Sequence, residues 1–218
     1  MTTLIYNKCK LITDTKFTLN YTDEQYEEAL EAFLAAEGED EEMKYIYRPS
    51  LDRAFRHEVL EMLKNGKYYI PSGRLKQNGE TIRAVGIAGD AMSAYLVLRY
   101  LDKISSDDTM KDYLSLVVKI ITTFGEGLFF SLIFLTDTGA WILDGNNKAY
   151  KFDKTREDSV ILGSGILTIK GIDNETFQAR LEVNDLSNVY LDTRPIDELK
   201  TLALGDPLTN NIWKELVI

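Results

Sequence analysis

Apolar and polar positions alternate at the head of the chain, in TTLIYN and KLITDTKF. This period of two predicts a pair of strands between residues 2 and 18, joined by a tight turn at Lys8 and Cys9. The period then lengthens. In TDEQYEEALEAFLAAEGEDEEMKY, Tyr26, Leu30, Phe33 and Leu34 fall on one helical stripe. Thr22 is placed as its N-cap, with Gln25 three residues on to complete a capping box. EGEDEE at 37–42 reads as a solvated acidic loop. A second helix, SLDRAFRHEVLEMLKNG, starts from Ser50 behind Pro49 and stops at Gly66.

Strand patterns return in KYYIPSG and ETIRAVGIAG, around turns at Pro71 and Gly79. Asp90 caps a predicted helix AMSAYLVLRYLDKI, and Asp107 or Asp108 caps another, TMKDYLSLVVKIITTF. Both are long and apolar, as helices packed on a sheet are. Apolar residues on more than one face also predict self-association. FFSLIFLTDTGAWILDG reads as a strand pair turning at 137–139, and KAYKFD with SVILGSG as a further pair. Beyond Gly165 the pattern weakens, to a helix within 174–190 and a terminal segment at 207–218 anchored by Trp213. This order predicts an α+β fold, a four-layer αββα sandwich with two antiparallel sheets face to face and helices outside. The acidic helical segment at about 22–66 reads as an insertion in a single domain spanning 1–218.

Composition narrows the function. A length of 218 residues suits one large domain, and 44% hydrophobic with 28% charged residues is ordinary for a globular chain. The net charge of −10 argues against a nucleic-acid backbone or an anionic membrane as partner. One cysteine, Cys9, leaves no internal disulfide and fits a reducing compartment. The longest apolar run, GLFFSLIFL, is too short to span a bilayer, and the first, Leu4-Ile5-Tyr6, is no secretory signal. The expectation is a cytoplasmic protein. His57, the one histidine, lies in a charged helix and supplies no Ser-His-Asp triad. No CxxC, HExxH, P-loop or Rossmann glycine pattern is present.

Thr2 carries the sharpest chemistry. With Met1 clipped, its hydroxyl and a free α-amine share one residue, a nucleophile with its own base. MTT heading a strand, then a hairpin and ITDTKFT, resembles the start of proteasome β subunits and their bacterial HslV-type relatives, which are N-terminal-nucleophile hydrolases of αββα fold. VGIAGDAMSAYLVLRYL is similar to the small-residue turn leading into that family's first long helix. ILGSG, with Gly163-Ser164-Gly165, is similar to its Gly-Ser-Gly at a strand-to-helix turn.

The resemblance implies a threonine peptidase. Thr2 would attack a peptide carbonyl, and its α-amine, with a reference pKa near about 8, would take the proton. Asp14 would orient a lysine ammonium that tunes the amine. The Gly89 N–H would be the oxyanion donor, worth roughly 3–4 kcal/mol. Ser164 would hydrogen-bond near the α-amine, and the backbone around Thr18 would pair with an extended peptide. Two lysines compete for the family position. Lys76 has the family-like spacing ahead of the AG turn, and Lys67 has the family-like local context; spacing favours Lys76. The acid and hydroxyl that complete the eukaryotic-type site find no counterpart in SNVYLDTRP. That tail is closer to HslV, which implies backbone carbonyls of Ser187, Tyr190 and Thr193 around a monovalent cation, Na⁺ or K⁺, with no other cofactor required. A homo-oligomeric ring and an ATP-dependent unfoldase or regulator are implied as partners, with neither nucleic acid nor membrane. Two other functions fit the same residues. One is a catalytically inactive homologue acting as an assembly, scaffold or inhibitor protein through the acidic insertion; the other is an amidase using Thr2 on a small substrate.

Overall fold

Strands β1 (Thr3–Asn7) and β2 (Lys10–Asp14) bury nearly every side chain, so both faces of their sheet are covered. They are joined by a two-residue turn in which Lys8 and Cys9 both have positive φ, 46° and 67°. That is the primed-type turn whose twist matches a hairpin, here built without glycine. The computed structural model describes residues 3–16, 22, 24–25, 27–28, 31, 53–73, 75–104, 130–143, 149–171 and 189–218.

The first sheet is antiparallel, in the order β11-β10-β1-β2-β12, with β10 at Ser159–Gly163, β11 at Tyr190–Asp192 and β12 at Trp213–Val217. The second is also antiparallel, β3-β6-β7-β8-β9. Its strands are Tyr68–Tyr69, Ala84–Gly89, Phe130–Thr136, Gly139–Leu143 and Ala149–Asp153. Because side chains alternate along a strand, Leu4 and Tyr6 of β1 point to one face and Ile5 to the other. Leu4, Tyr6, Leu11 and Leu162 pack against Ala84, Ile133, Leu135 and Ile142, so the two sheets bury their inner faces on each other.

The outer faces take helices. Val59 and Leu63 of α1 (Arg53–Leu63), with Tyr95 and Leu98 of α2 (Ala91–Ile104), cover Val85, Ile87, Leu132 and Phe134. Ile166 and Ile169 of α3 (Gly165–Ile169), with Leu199 of α4 (Ile196–Ala203), cover Ile5, Ile12 and Ile161. The described residues thus combine helices with two five-stranded antiparallel sheets. No helix among them is long and apolar enough to cross a membrane.

Local signals are realised closely. Thr22 and Gln25 form the reciprocal cap, with Thr22 N–H donating to Gln25 Oε1 at 2.8 Å and Gln25 N–H to Thr22 Oγ1 at 3.3 Å. Met92 N–H donates to Asp90 Oδ1 at 3.0 Å, capping α2. The expected pairing of KAYKFD with SVILGSG is corrected: β9 pairs with β8, whereas β10 pairs with β1, so the chain crosses between sheets at 154–158. ETIRAVGIAG, expected as one strand, is divided: Glu80–Thr81 forms β5, paired with β4 (Lys76–Gln77) in a small hairpin, and Ala84–Gly89 forms β6. Asn78 and Gly79 take positive φ, 48° and 82°, at the hairpin tip. Helix α3 starts at the Gly163-Ser164-Gly165 turn, where the resemblance implied a strand-to-helix junction, whereas strand β11 and helix α4 were not predicted. The helix expected from TMKDYLSLVVKIITTF, the one expected within 174–190 and most of the acidic insertion lie outside the described residues.

Candidate active site at the start of β1

Antiparallel order brings four chain ends to one edge of the first sheet. β1 begins there, β2 and β10 end there, and the loop entering β12 passes over it. The register fixes this, with Thr3 opposite Gly163, Leu4 opposite Thr13 and Trp213 opposite Asp14. The second sheet adds one residue from across the gap. Lys67, immediately before β3, accepts Ile87 N–H on its carbonyl at 2.9 Å and donates its own N–H to Thr13 Oγ1 at 3.1 Å.

Asp14 and Lys67 form a buried ion pair. Lys67 Nζ stands 3.1 and 3.2 Å from the two carboxylate oxygens, and the Asp14 side chain is entirely without solvent exposure. The same carboxylate accepts the Thr3 and Lys16 amides, each at 3.0 Å. Burial lowers the Lys67 ammonium below the ordinary lysine value, against the opposing pull of Asp14 and, further off, Asp206. β3 is only two residues long, so its hold on Lys67 needs support. Tyr95 of α2 supplies some, donating its hydroxyl to the Tyr68 carbonyl at 2.6 Å.

A second group lies on the other side of Thr3. Ser164 Oγ donates to Asp206 Oδ2 at 2.5 Å, and Thr209 Oγ1 donates to the same oxygen at 2.9 Å. Leu208 N–H donates to Asp206 Oδ1 at 2.9 Å. Thr209 Oγ1 is 2.6 Å from Thr3 Oγ1. Thr3, Ser164 and Asp206 are wholly buried. Gly165 makes the approach workable, because a Cβ there would collide with Thr3 Oγ1.

The expected site residues separate accordingly. The structure brings Asp14 and Ser164 to one place and adds Lys67. Gly89, with φ 103°, ends β6 two residues beyond Ile87, whose amide holds the Lys67 carbonyl. Thr2 lies outside the described residues but is bonded directly to Thr3; Thr18 and Ser187 also lie outside them. The preference for Lys76 is corrected. Lys76 is exposed on the β4–β5 hairpin, and Lys67 is the lysine paired with Asp14. The extra hairpin is the physical reason, since it lengthens the path from Lys67 to the AG turn and defeats counting. Tyr190 and Thr193 are not brought to the cluster. β11 runs away from the site edge, so Asp192 faces Ser159 at the far end of β10, with Thr193 next to it.

Sequence reasoning missed Thr3, Asp206 and Thr209. A signal for the latter two exists in GDPLTN, after α4 rather than in SNVYLDTRP. Asp206 and Thr209 are three apart, and Thr209 N–H donates to the Asp206 carbonyl at 3.0 Å, a single turn that puts both side chains on one side. Compared with the models of known protein families and with curated proteins, the chain matches none of them.

Proposed function

We propose that the chain is a threonine-type peptidase of the N-terminal-nucleophile kind, with the αββα sandwich of the proteasome β-subunit and HslV family, working from Thr2 after removal of Met1. One observation carries this reading: a buried lysine–carboxylate pair and a buried hydroxyl–carboxylate group meet on either side of Thr3, one residue from Thr2. Charge supports it too. Among the described residues, the cluster buries the two carboxylates of Asp14 and Asp206 with the one ammonium of Lys67. That excess of negative charge stabilises the α-ammonium at Thr2 that forms when the amine takes the hydroxyl proton.

In this mechanism the Thr2 hydroxyl adds to a peptide carbonyl and its proton passes to the α-amine. Lys67, held by Asp14, disfavours a second positive charge nearby and so keeps the resting amine neutral and basic. The Gly89 N–H donates to the oxyanion as it develops. The amine then protonates the leaving nitrogen, and water attacks the acyl ester with the same amine as base. Cytoplasmic location, a homo-oligomeric ring, an ATP-dependent unfoldase and a monovalent cation on backbone carbonyls belong to this reading. Intact mass of the native protein, with and without a peptide epoxyketone that alkylates N-terminal threonine, tests it. The expected result is a chain lacking Met1 that gains one probe mass, with labelling and peptidase activity lost in Thr2→Ala and partly kept in Thr2→Ser. A native chain that retains Met1 and takes no probe refutes it. The inactive scaffold reading then replaces it, with the segment 22–66 as the surface to test.

A further inference from the structure

We infer that Asp102 is a positioning residue for Lys67, anchoring the exit of the short strand that carries the lysine to its buried place against Asp14. The anchoring stands on geometry alone, and its effect on turnover rests on the threonine-peptidase reading. Lys67 has a narrow support. Gly66, at φ 130°, turns the chain sharply out of α1, and β3 follows with two residues at the edge of its sheet. Its ladder is limited to Tyr68 opposite Gly86 and Tyr69 opposite Val85. Beyond β3 the chain comes to the surface, with Ile70 55% exposed and Ser72 exposed as well. The exposed side chains on either side of Pro71 give packing little grip on this exit, which hydrogen bonds hold instead.

Asp102, near the end of α2, accepts them. The Tyr69 hydroxyl donates to Asp102 Oδ2 at 2.9 Å. Ser72 N–H donates to the same oxygen at 2.9 Å and reaches Oδ1 at 3.1 Å, and the Ser72 hydroxyl donates to Oδ1 at 2.7 Å. Three donors converge on one side chain, and a carboxylate, whose two oxygens only accept, takes all of them. Burial and then the Asp102 bond push the Tyr69 phenol above its ordinary value, which keeps it a donor. Tyr95 lies about two turns before Asp102, on the same face of α2. It holds the Tyr68 carbonyl, and its ring meets the Tyr69 ring edge-on with centroids 5.8 Å apart. One helix face thus grips β3 at its entry and at its exit, and Lys67 is the next residue out. Releasing the exit lets β3 tilt about the Tyr68–Gly86 pair and admits water to the ammonium.

The test follows the Lys67 ammonium itself, by NMR titration of the full chain labelled with ¹³C at lysine Cε. The Lys67 signal is the one that disappears in Lys67→Met. Burial holds this ammonium below the ordinary lysine value, opposed by Asp14 and Asp206 and reinforced by Lys16. Asp102→Ala is expected to raise its titration by about 0.5–1 unit, because hydration returns as β3 loosens. Asp102→Asn keeps an acceptor oxygen and should recover most of that shift. Leu101→Ala is the control. It empties a wholly buried position beside Asp102 and lowers the melting temperature without removing a bond to the carboxylate, so the Lys67 titration should stay where it is. Should Asp102→Ala fail to fold, Tyr69→Phe removes one of the three donors and must shift the titration the same way. A parent-like Lys67 titration in the variant that folds, or an equal rise in Leu101→Ala, overturns the inference and leaves Asp102 a stabilising residue only. On the peptidase reading, Asp102→Ala also lowers kcat about fivefold with KM within about twofold. If the parent shows no turnover, that reading falls, and the titration still decides the role of Asp102.

Discussion

Replacing Lys67 by methionine removes one partner of a wholly buried ion pair while nearly keeping its length. At the observed 3.1 Å, two unit charges attract by about 5 kcal/mol at an effective dielectric of about 20. What stability loses is the penalty of leaving the Asp14 carboxylate without its ammonium, about 3–5 kcal/mol for buried pairs. The Thr3 and Lys16 amides still donate to that carboxylate, so the low end, about 3 kcal/mol, is expected. Urea unfolding followed by the fluorescence of Trp141 and Trp213 measures it. With an m-value of about 2 kcal/mol/M, the midpoint should fall by about 1.5 M. Adding Asp14→Asn to Lys67→Met should recover at least half of the loss without restoring turnover. Lys76→Ala, on the exposed hairpin, should stay within about 0.5 kcal/mol of the parent. Burial holds the folded Lys67 below the ordinary lysine value, so between the two values the unfolded chain binds more protons and stability rises with pH. Lys67→Met should abolish that alkaline rise. A Lys67→Met protein as stable as the parent, or a larger effect at Lys76, would refute the assignment of the lysine.

Three other outcomes follow from single contacts. Gly165→Ala places a methyl against Thr3 Oγ1 and should cost about 1–3 kcal/mol in a thermal melt while abolishing probe labelling. Cys9→Gly relieves a non-glycine residue at φ 67° and should raise stability by up to about 1 kcal/mol in the urea assay. Burial alone would raise the Glu80 carboxyl, but hydrogen bonds from Lys151, Thr136, Thr138 and Trp141 outweigh it and bring it down to about 2. Its contribution is therefore full above the ordinary carboxylate range and lost as pH falls through about 2. An acid titration should show Glu80→Gln about 1–2 kcal/mol less stable at neutral pH and the gap closing in strong acid.

Short-range features were legible because neighbours in sequence create them. The β1–β2 hairpin, the Thr22–Gln25 cap and the Asp90 cap each need only a few consecutive residues. Partner choice was not. An apolar alternation marks β9 and β10 as strands but says nothing about which sheet each joins, and proximity in sequence wrongly suggested a hairpin. Gly79 was read as a turn leading into ETIRAVGIAG, but the short strand at Lys76–Gln77 that pairs across it was not, and that placed the lysine count on the wrong residue. Asp14 and Ser164 could be named because each stands in a local motif at a strand end. Thr209 meets Thr3 across 206 positions of chain, and no spacing rule reaches that far. Lys67 was recognisable only through the family-like local context of KYYI, which spacing was allowed to override.

Asp14 belongs to one sheet and Lys67 to the other, so the distance between sheets is itself a dimension of the site. The inner core acts as a gauge block that sets it. Gly86 shows how fine the setting is, for a Cβ there would press on Ile133 at 2.7 Å and on Leu4 and Leu11 at 2.8 and 3.1 Å. Gly86 pairs with Tyr68, the residue after Lys67, so a wedge at this point would tilt β3 away from β2. Interior volume changes well removed from Thr3 would then register as altered chemistry before they register as unfolding. On the peptidase reading, selection for activity would police the width of the whole interior, as well as the handful of groups around Thr3.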